Sequence, residues 1–337
     1  AGPMKLGTSL RFLYPTGPHT HALFKQMLAT LPPGSFIERP MGATDTGEQA
    51  RNVLEIGAAA RAAGLDSLLY GDNHAVPAAF ANSFAPIPTL ARLGAVTGAM
   101  TLGVVLLAPF YHPILLAEQL GTLAAFAGAP LVVTFANGGR AQAFEAFGLS
   151  MSSRASRLEE LVAIVRPLLA GERVAFRGKH FTLDGVSISP LPRVPVSIWI
   201  AGTVPAAAAR AGRIGDAWLT GQNATRADLV AQLDVYREAC ARAGRNAQSV
   251  LRRDIYVGDT DADAETAVGR VLAEGYRGTG PDQLLVGSAK TVVEKLREYR
   301  ALGFDYVMVR HIVGEHDLML RSFARIGESV MPAIRSL

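Results

Sequence analysis

Charged side chains are scarce in this chain: Asp, Glu, Lys and Arg make up 18% of its 337 residues, against 49% hydrophobic ones. That balance excludes a disordered polymer, which needs the reverse proportion to stay solvated, and it supplies a large buried core. Cysteine is rarer still. The single Cys240 can close no internal disulfide, and its place in the helical pattern YREACARAG makes it a passive helix residue rather than a nucleophile. No apolar run approaches the roughly 18 residues of a membrane span, so no membrane partner is expected. The 33 basic and 29 acidic residues are scattered, which leaves a net charge of +4 without the basic stripe that nucleic-acid binding needs. HExxH and paired CxxC are absent, and His19 with His21 forms a lone pair on a Pro- and Gly-rich stretch, so no metal site is expected. The start AGPMKLGTSL lacks the basic-then-apolar layout of a signal peptide, Ala1 to Pro3 look like an expression remnant, and a soluble cytoplasmic protein is the expectation.

Eight strand-like apolar runs are present: Lys5–Leu10, Ser67–Tyr70, Thr101–Leu107, Leu131–Phe135, Ser197–Ile200, Ala217–Thr220, Leu251–Val257 and Tyr306–Arg310. Helical patterns with apolar faces lie at Glu48–Ala63, Pro113–Phe126, Arg154–Leu169, Pro205–Gly212, Ala227–Ala243, Thr291–Leu302 and Leu318–Ile334. Alternating β and α units whose strands are apolar throughout imply a parallel sheet covered by helices. The GxGxxG turn of a doubly wound sheet is missing after the first strand, where the chain continues RFLYPTGPHTHALF. A single (β/α)8 TIM barrel over residues 1–337 is therefore expected. Two insertions decorate it: an extended loop after the first strand, residues 14–47, placed to act as a lid or substrate wall, and a small hairpin near 173–183 turning at Arg177 and Gly178. In such a barrel the functional groups sit at the C-terminal ends of the strands.

The fifth run is followed by a Gly-Thr turn and Pro205, which fits the first turn of a helix. The amides of Gly202, Thr203 and Val204 would then face a bound anion at the positive end of the helix dipole; an ordinary strand-to-helix connection is the alternative.

The segment LGVVLLAPFYHPILLAEQLGTLAAFAGAPLVV, Leu102 to Val133, resembles the luciferase-like monooxygenase superfamily: Gly103 in the strand, Pro109, then His112 with Pro113, then the LAEQ helix. Phe144 to Phe181, the block PVSIWIAGTVPAAAARAGRIGDAW and Val286 to Arg310 agree with it in order and spacing. The resemblance implies a flavin at the C-terminal mouth, its phosphate on Gly202, Thr203 and Val204, and a homodimer. It also implies a cis peptide bulge at Val104 and Val105 supporting the ring, and a Gly-rich turn beside the ring at Asn137 and Gly138. Arg140 could reach the phosphate or a substrate carboxylate. At the end of the second strand the family shows an acidic residue followed by His. Asp72 matches, Asn73 stands where that His falls, and His74 follows one place later. Asn73 can only exchange hydrogen bonds, whereas an imidazole can take a proton near neutral pH, so His74 is the alternative base. Phe12, Phe110, Trp199 and Trp218 are wall candidates, and Arg253, Arg310 and His311 lie at strand ends.

The function these residues imply is a two-component FMN-dependent monooxygenase, using reduced FMN from a separate flavin reductase and O2 to oxidise a small-molecule organic substrate. One alternative is hydride transfer with the deazaflavin coenzyme F-420. Another is a non-catalytic flavin-binding barrel.

Overall fold

The computed structural model describes residues 2–10, 45–76, 83–273 and 280–337. Most of the expected lid at 14–47, together with Phe12, His19 and His21, lies outside the described residues.

Each predicted strand is observed: β1 (Lys5–Leu10), β2 (Ser67–Gly71), β3 (Thr101–Leu107) and β4 (Leu131–Ala136) precede the hairpin strands β5 (Val174–Arg177) and β6 (Thr182–Val186). After them come β7 (Val196–Ala201), β8 (Ala217–Leu219), β9 (Ser249–Gly258), β10 (Leu284–Ser288) and β11 (Tyr306–His311). Eight of them pair in parallel in the order β1, β2, β3, β4, β7, β8, β9, β11 and close β11 onto β1, which is the expected (β/α)8 barrel. The hairpin β5–β6 is antiparallel and packs over the helical shell through Val174, Leu183 and Phe176.

β10 has no counterpart in the sequence reading. Val250 pairs with both Leu219 and Tyr306, and Asp254 pairs with both Leu284 and Arg310. A strand has two edges, so β8 and β10 share one edge of β9 in succession. β9 outlasts its short barrel neighbour β8, and β10 covers the backbone groups that would otherwise be left open.

The helices of the shell are α1 (Thr46–Ala62), α2 (Pro86–Thr97), α3 (Pro113–Phe126), α4 (Ala141–Ala146), α5 (Arg154–Leu169), α6 (Pro205–Ile214), α7 (Arg226–Ala243), α8 (Asp261–Ala273), α9 (Ala289–Leu302), α10 (His316–Arg325) and α11 (Met331–Arg335). Their ends follow from local chemistry. Thr225 and Asp228 form a reciprocal capping box at the start of α7, and Gly244 closes it in the left-handed region at φ 65°. The predicted helix Leu318–Ile334 is split into α10 and α11 by a π-turn at Ile326–Val330. Pro332 has no N–H to give to the preceding turn, and a Cβ on Gly327 would lie 2.7 Å from Ala63 Cα.

Strand alternation separates two cores. Leu69, Val132, Trp199, Leu219, Val250, Tyr306 and Met308 fill the barrel, while Tyr70, Val104, Val133, Ile200 and Trp218 face the helices. The expected cis bulge at Val104–Val105 is not present: the cis bond among the described residues is Ser189–Pro190. β3 runs in unbroken register with both neighbours from Leu102 to Val105, so a bulge has no place in the ladder. Val104 is fully buried against the shell, and only Val105 points inward.

β11 turns His311 into the same shell, where Nε2 lies 2.8 Å from Ser322 Oγ and the ring packs on Phe323. Burial pushes this imidazole down to about 3, against a smaller opposing pull from Asp254. The folded chain thus refuses a proton that the unfolded chain accepts near pH 6.5, so stability is full above that value and falls as pH drops towards 3. Between pH 7 and pH 5 the wild type is expected to lose about 2 kcal/mol more than His311→Gln. Urea denaturation at the two pH values checks this, and equal losses would contradict it.

Candidate active site at the C-terminal mouth of the barrel

The β2–β3 ladder runs one residue past β2, with Asp72 N donating to Val105 O at 2.9 Å. In the alternation that turns Ser67, Leu69 and Gly71 inward, Asp72 faces away from the axis. Its carboxylate is 1% exposed. It accepts from Leu107 N at 3.0 Å, from Tyr111 Oη at 2.7 Å and faces His74 Nε2 at 2.9 Å, the latter two on the same oxygen, Oδ2. A buried carboxylate with three donors around it is anchored, and its remaining function is to orient its partners. Burial, then the Asp72 charge, hold the Tyr111 phenol well above its ordinary value, so it remains a donor.

The His74 ring stands edge-on to Phe110, Tyr111 and Phe147, at centroid distances of 5.1, 5.8 and 5.4 Å. Asn73 Oδ1 accepts from His74 N at 3.1 Å, a local turn that lets the chain carry the imidazole back onto Asp72. Arg140, which the sequence assigned to an anion, instead donates to the His74 carbonyl, and burial pulls its guanidinium below its ordinary range. The acid–histidine pair is therefore assembled in spite of the one-residue shift, with Asn73 as the turn rather than the base.

Thr134 faces the barrel near the end of β4, and Asn137 follows the strand. Thr134 Oγ1 and Asn137 Oδ1 are buried without a partner among the described residues. Gly138 has φ 73°, in the left-handed region that favours glycine, while a Cβ there would make only an ordinary contact with the Phe144 ring at 3.4 Å.

At the β7–α6 junction the anion geometry is narrower than expected. Gly202 N donates to Leu219 O at 3.0 Å and is spent on the sheet, and Gly202 O accepts from Trp218 Nε1 at 3.1 Å. The Thr203 and Val204 amides have no acceptor among the described residues, and both residues are exposed at the start of α6. Gly202 serves instead as a point of close approach, since a Cβ would lie 2.5 Å from Ala207 Cβ. Thr203 also abuts the next loop, where a Cβ on Gly221 would meet its methyl at 2.8 Å.

On the far wall, strand alternation turns Arg252, Asp254 and Arg310 inward. Arg252 Nη2 stands 3.5 Å from Asp254 Oδ1. Arg253 and His311, read from sequence as facing the site, take the opposite parity and point into the shell. His112 caps α3, its Nδ1 accepting from Ile114 N at 3.3 Å, and His180 bonds Ser156 Oγ at 2.7 Å. Tyr111 and Phe147 were not singled out in the sequence; the only hint was Tyr111's place in the run APFYHP between two residues that were. Among the described residues no group of three His, Cys, Asp or Glu could hold a metal ion, and no helix is long and apolar enough to cross a membrane.

A family model described as luciferase-like monooxygenase matches residues 34–306. The chain is 28% identical over 319 residues to an F420-dependent glucose-6-phosphate dehydrogenase of Nakamurella multipartita, covering 85% of this chain and 93% of that one. It is 29% identical over 234 residues to an F420-dependent hydroxymycolic acid dehydrogenase of Mycobacterium tuberculosis, covering 66% of this chain and 64% of that one. A solved monooxygenase from Streptomyces bottropensis superposes with a TM-score of 0.78 at 21% identity, over 98% of this chain and 99% of that one, which is a likeness of fold.

Proposed function

The chain belongs to the luciferase-like monooxygenase family, and from that membership we propose that it is a deazaflavin-dependent dehydrogenase that oxidises a hydroxyl group of a small organic substrate to a carbonyl. The observation that carries the reading is the buried Asp72 carboxylate holding His74 at 2.9 Å at the barrel mouth. Alcohol oxidation needs a group that takes the hydroxyl proton as hydride leaves the adjacent carbon, and an imidazole backed by a carboxylate is suited to that. The choice of deazaflavin over FMN, the reverse of the first expectation, is supported by the two relatives named for that coenzyme, both dehydrogenases. The displaced histidine no longer favours a non-catalytic barrel, because the Asn73 turn restores its contact with Asp72.

The residues present fit such a coenzyme. Thr134 Oγ1 and Asn137 Oδ1, buried and unpartnered, suit the polar edge of a fused ring, and the Thr203 and Val204 amides suit a phosphate. When bound, a deazaflavin supplies a two-electron acceptor for hydride and no chemistry with oxygen. His74 takes the substrate's hydroxyl proton, Asp72 stabilises the resulting imidazolium, and Phe110, backed by Phe144, shields one side of the ring from water.

One sequence observation favours the FMN monooxygenase instead. β4 runs into VTFANGGRAQAF, without the GTGExLNE-like string of some deazaflavin-dependent dehydrogenases. On that second reading a separate reductase is the partner. We also propose a homodimer on the α3 face, where Leu115 and Phe126, three turns apart on one side, are 56% and 83% exposed.

Fluorescence titration of the purified protein with each coenzyme tests the proposal. Deazaflavin is expected to bind more tightly than FMN, and Thr203→Asp, which sets a negative charge against the phosphate, should weaken it about tenfold. Tighter FMN binding, with oxygen uptake when the flavin is reduced, would overturn the reading.

A further inference from the structure

We propose that Tyr111 is a positioning residue that acts through Asp72 to keep the lone pair of His74 on Nδ1, which makes Nδ1 the atom that takes the substrate's proton. The inference rests on the reading of His74 as proton acceptor. Its geometry is independent of any substrate.

Asp72 Oδ2 accepts from Tyr111 Oη at 2.7 Å and Leu107 N donates to both carboxylate oxygens, at 3.0 and 3.2 Å. A carboxylate whose two oxygens already accept from Tyr111 and Leu107 acts as an acceptor towards its third neighbour as well. The 2.9 Å contact with His74 Nε2 is then an Nε2–H donation, and the neutral ring carries its lone pair on Nδ1. The ring is held against a flip by Phe110, Tyr111 and Phe147, while Arg140 fixes the His74 carbonyl. Nδ1 has no protein partner among the described residues, and the His74 side chain is 24% exposed, so this nitrogen is the open one. Were Tyr111 not donating, Oδ2 would lose the contact that fixes the carboxylate's orientation, and Asp72 would hold the Nε2–H less firmly. The ring's single proton could then move to Nδ1 and leave no base there. Leu107 N reaches Oδ2 only at 3.2 Å and lies nearer Oδ1, so Tyr111 is the side chain that fixes Oδ2.

Nitrogen-15 NMR of the imidazole in the full chain separates this from the functional reading, because it needs neither coenzyme nor substrate. At about pH 8, where an ordinary imidazole is neutral, wild-type His74 is expected to be predominantly the Nε2–H tautomer. Tyr111→Phe keeps the ring in place and removes one hydrogen bond; it should move the tautomer ratio about fivefold towards Nδ1–H. In turnover it should lower kcat about fivefold with KM within about twofold. A wild type that is mainly Nδ1–H, or a tautomer ratio unmoved in Tyr111→Phe, overturns the proposal whatever reaction the enzyme catalyses. Tautomers as stated with kcat unchanged in Tyr111→Phe would overturn the assignment of Nδ1 as acceptor and strike the functional reading with it.

Discussion

Asp72→Asn is expected to lower kcat about 1,000-fold while leaving coenzyme affinity and fold stability within about twofold and 1 kcal/mol of wild type. The substitution preserves shape but not charge. An asparagine amide can turn its NH2 towards His74 Nε2, and the ring then shifts its own proton to Nδ1 and loses the lone pair that faces the substrate. The imidazolium formed in turnover also loses its counter-charge in a site where Asp72 is almost fully shielded from water, and that is where a carboxylate matters most. Leu107 N keeps an acceptor in the amide oxygen at the Oδ1 place, and Tyr111 Oη can accept from the NH2 at the Oδ2 place, so the loop is not expected to unfold. Steady-state kinetics checks the rate, and a loss below tenfold would mean that Asp72 serves only to fold the mouth.

The largest loss of stability is expected at Arg253. Its side chain is 1% exposed, and no carboxylate pairs with it among the described ion pairs. Nε donates to Tyr299 Oη at 2.9 Å, Nη1 to Gln222 O at 3.0 Å and to Arg252 O at 3.2 Å, and Nη2 to Ala224 O at 2.8 Å. The guanidinium also lies 5.0 Å from the Tyr299 ring centroid. Carbonyl dipoles thus solvate a buried cation, and the cation ties the loop after β8 to β9. Arg253→Met removes every donor at once and leaves those carbonyls buried and unpaired, at about 3–5 kcal/mol. Because Gly221 of that loop packs on Thr203, coenzyme affinity should fall too. Urea denaturation measures the first effect, and a loss below about 1 kcal/mol would show that water replaces the guanidinium at little cost.

The barrel was legible in the sequence because each of its strands is an apolar run bounded by turn residues, and a strand buried on both faces needs little more than that. β10 was not legible. LLVGS is short, and its strand character depends on the unfilled edge of β9, which only the closed ring creates. α2 was missed because PIPTLARLGAVT opens with two prolines, which the first turn of a helix tolerates. At the site, Asp72 was readable from the family resemblance at the end of the second strand. Its partner was not: whether Asn73 or His74 meets the carboxylate depends on one turn, and Tyr111 lies 39 residues away in sequence. The Gly202 amide was assigned to an anion because a Gly-Thr turn before a helix carries that expectation, whereas the neighbouring strand had already taken it. The cis bulge belonged to the family pattern and to nothing in TLGVVLL itself, and the observed ladder leaves no room for it.

In the proposed reaction His74 and Asp72 serve hydride transfer from a hydroxyl-bearing carbon to a deazaflavin. Its most direct test is isotope transfer in a single anaerobic turnover with a panel of alcohols and sugars carrying deuterium on the hydroxyl-bearing carbon. Deuterium on the recovered reduced deazaflavin, a carbonyl product, and loss of both in His74→Ala are expected. No label transfer with any member of the panel, alongside oxygen-dependent product formation with reduced FMN, would contradict it.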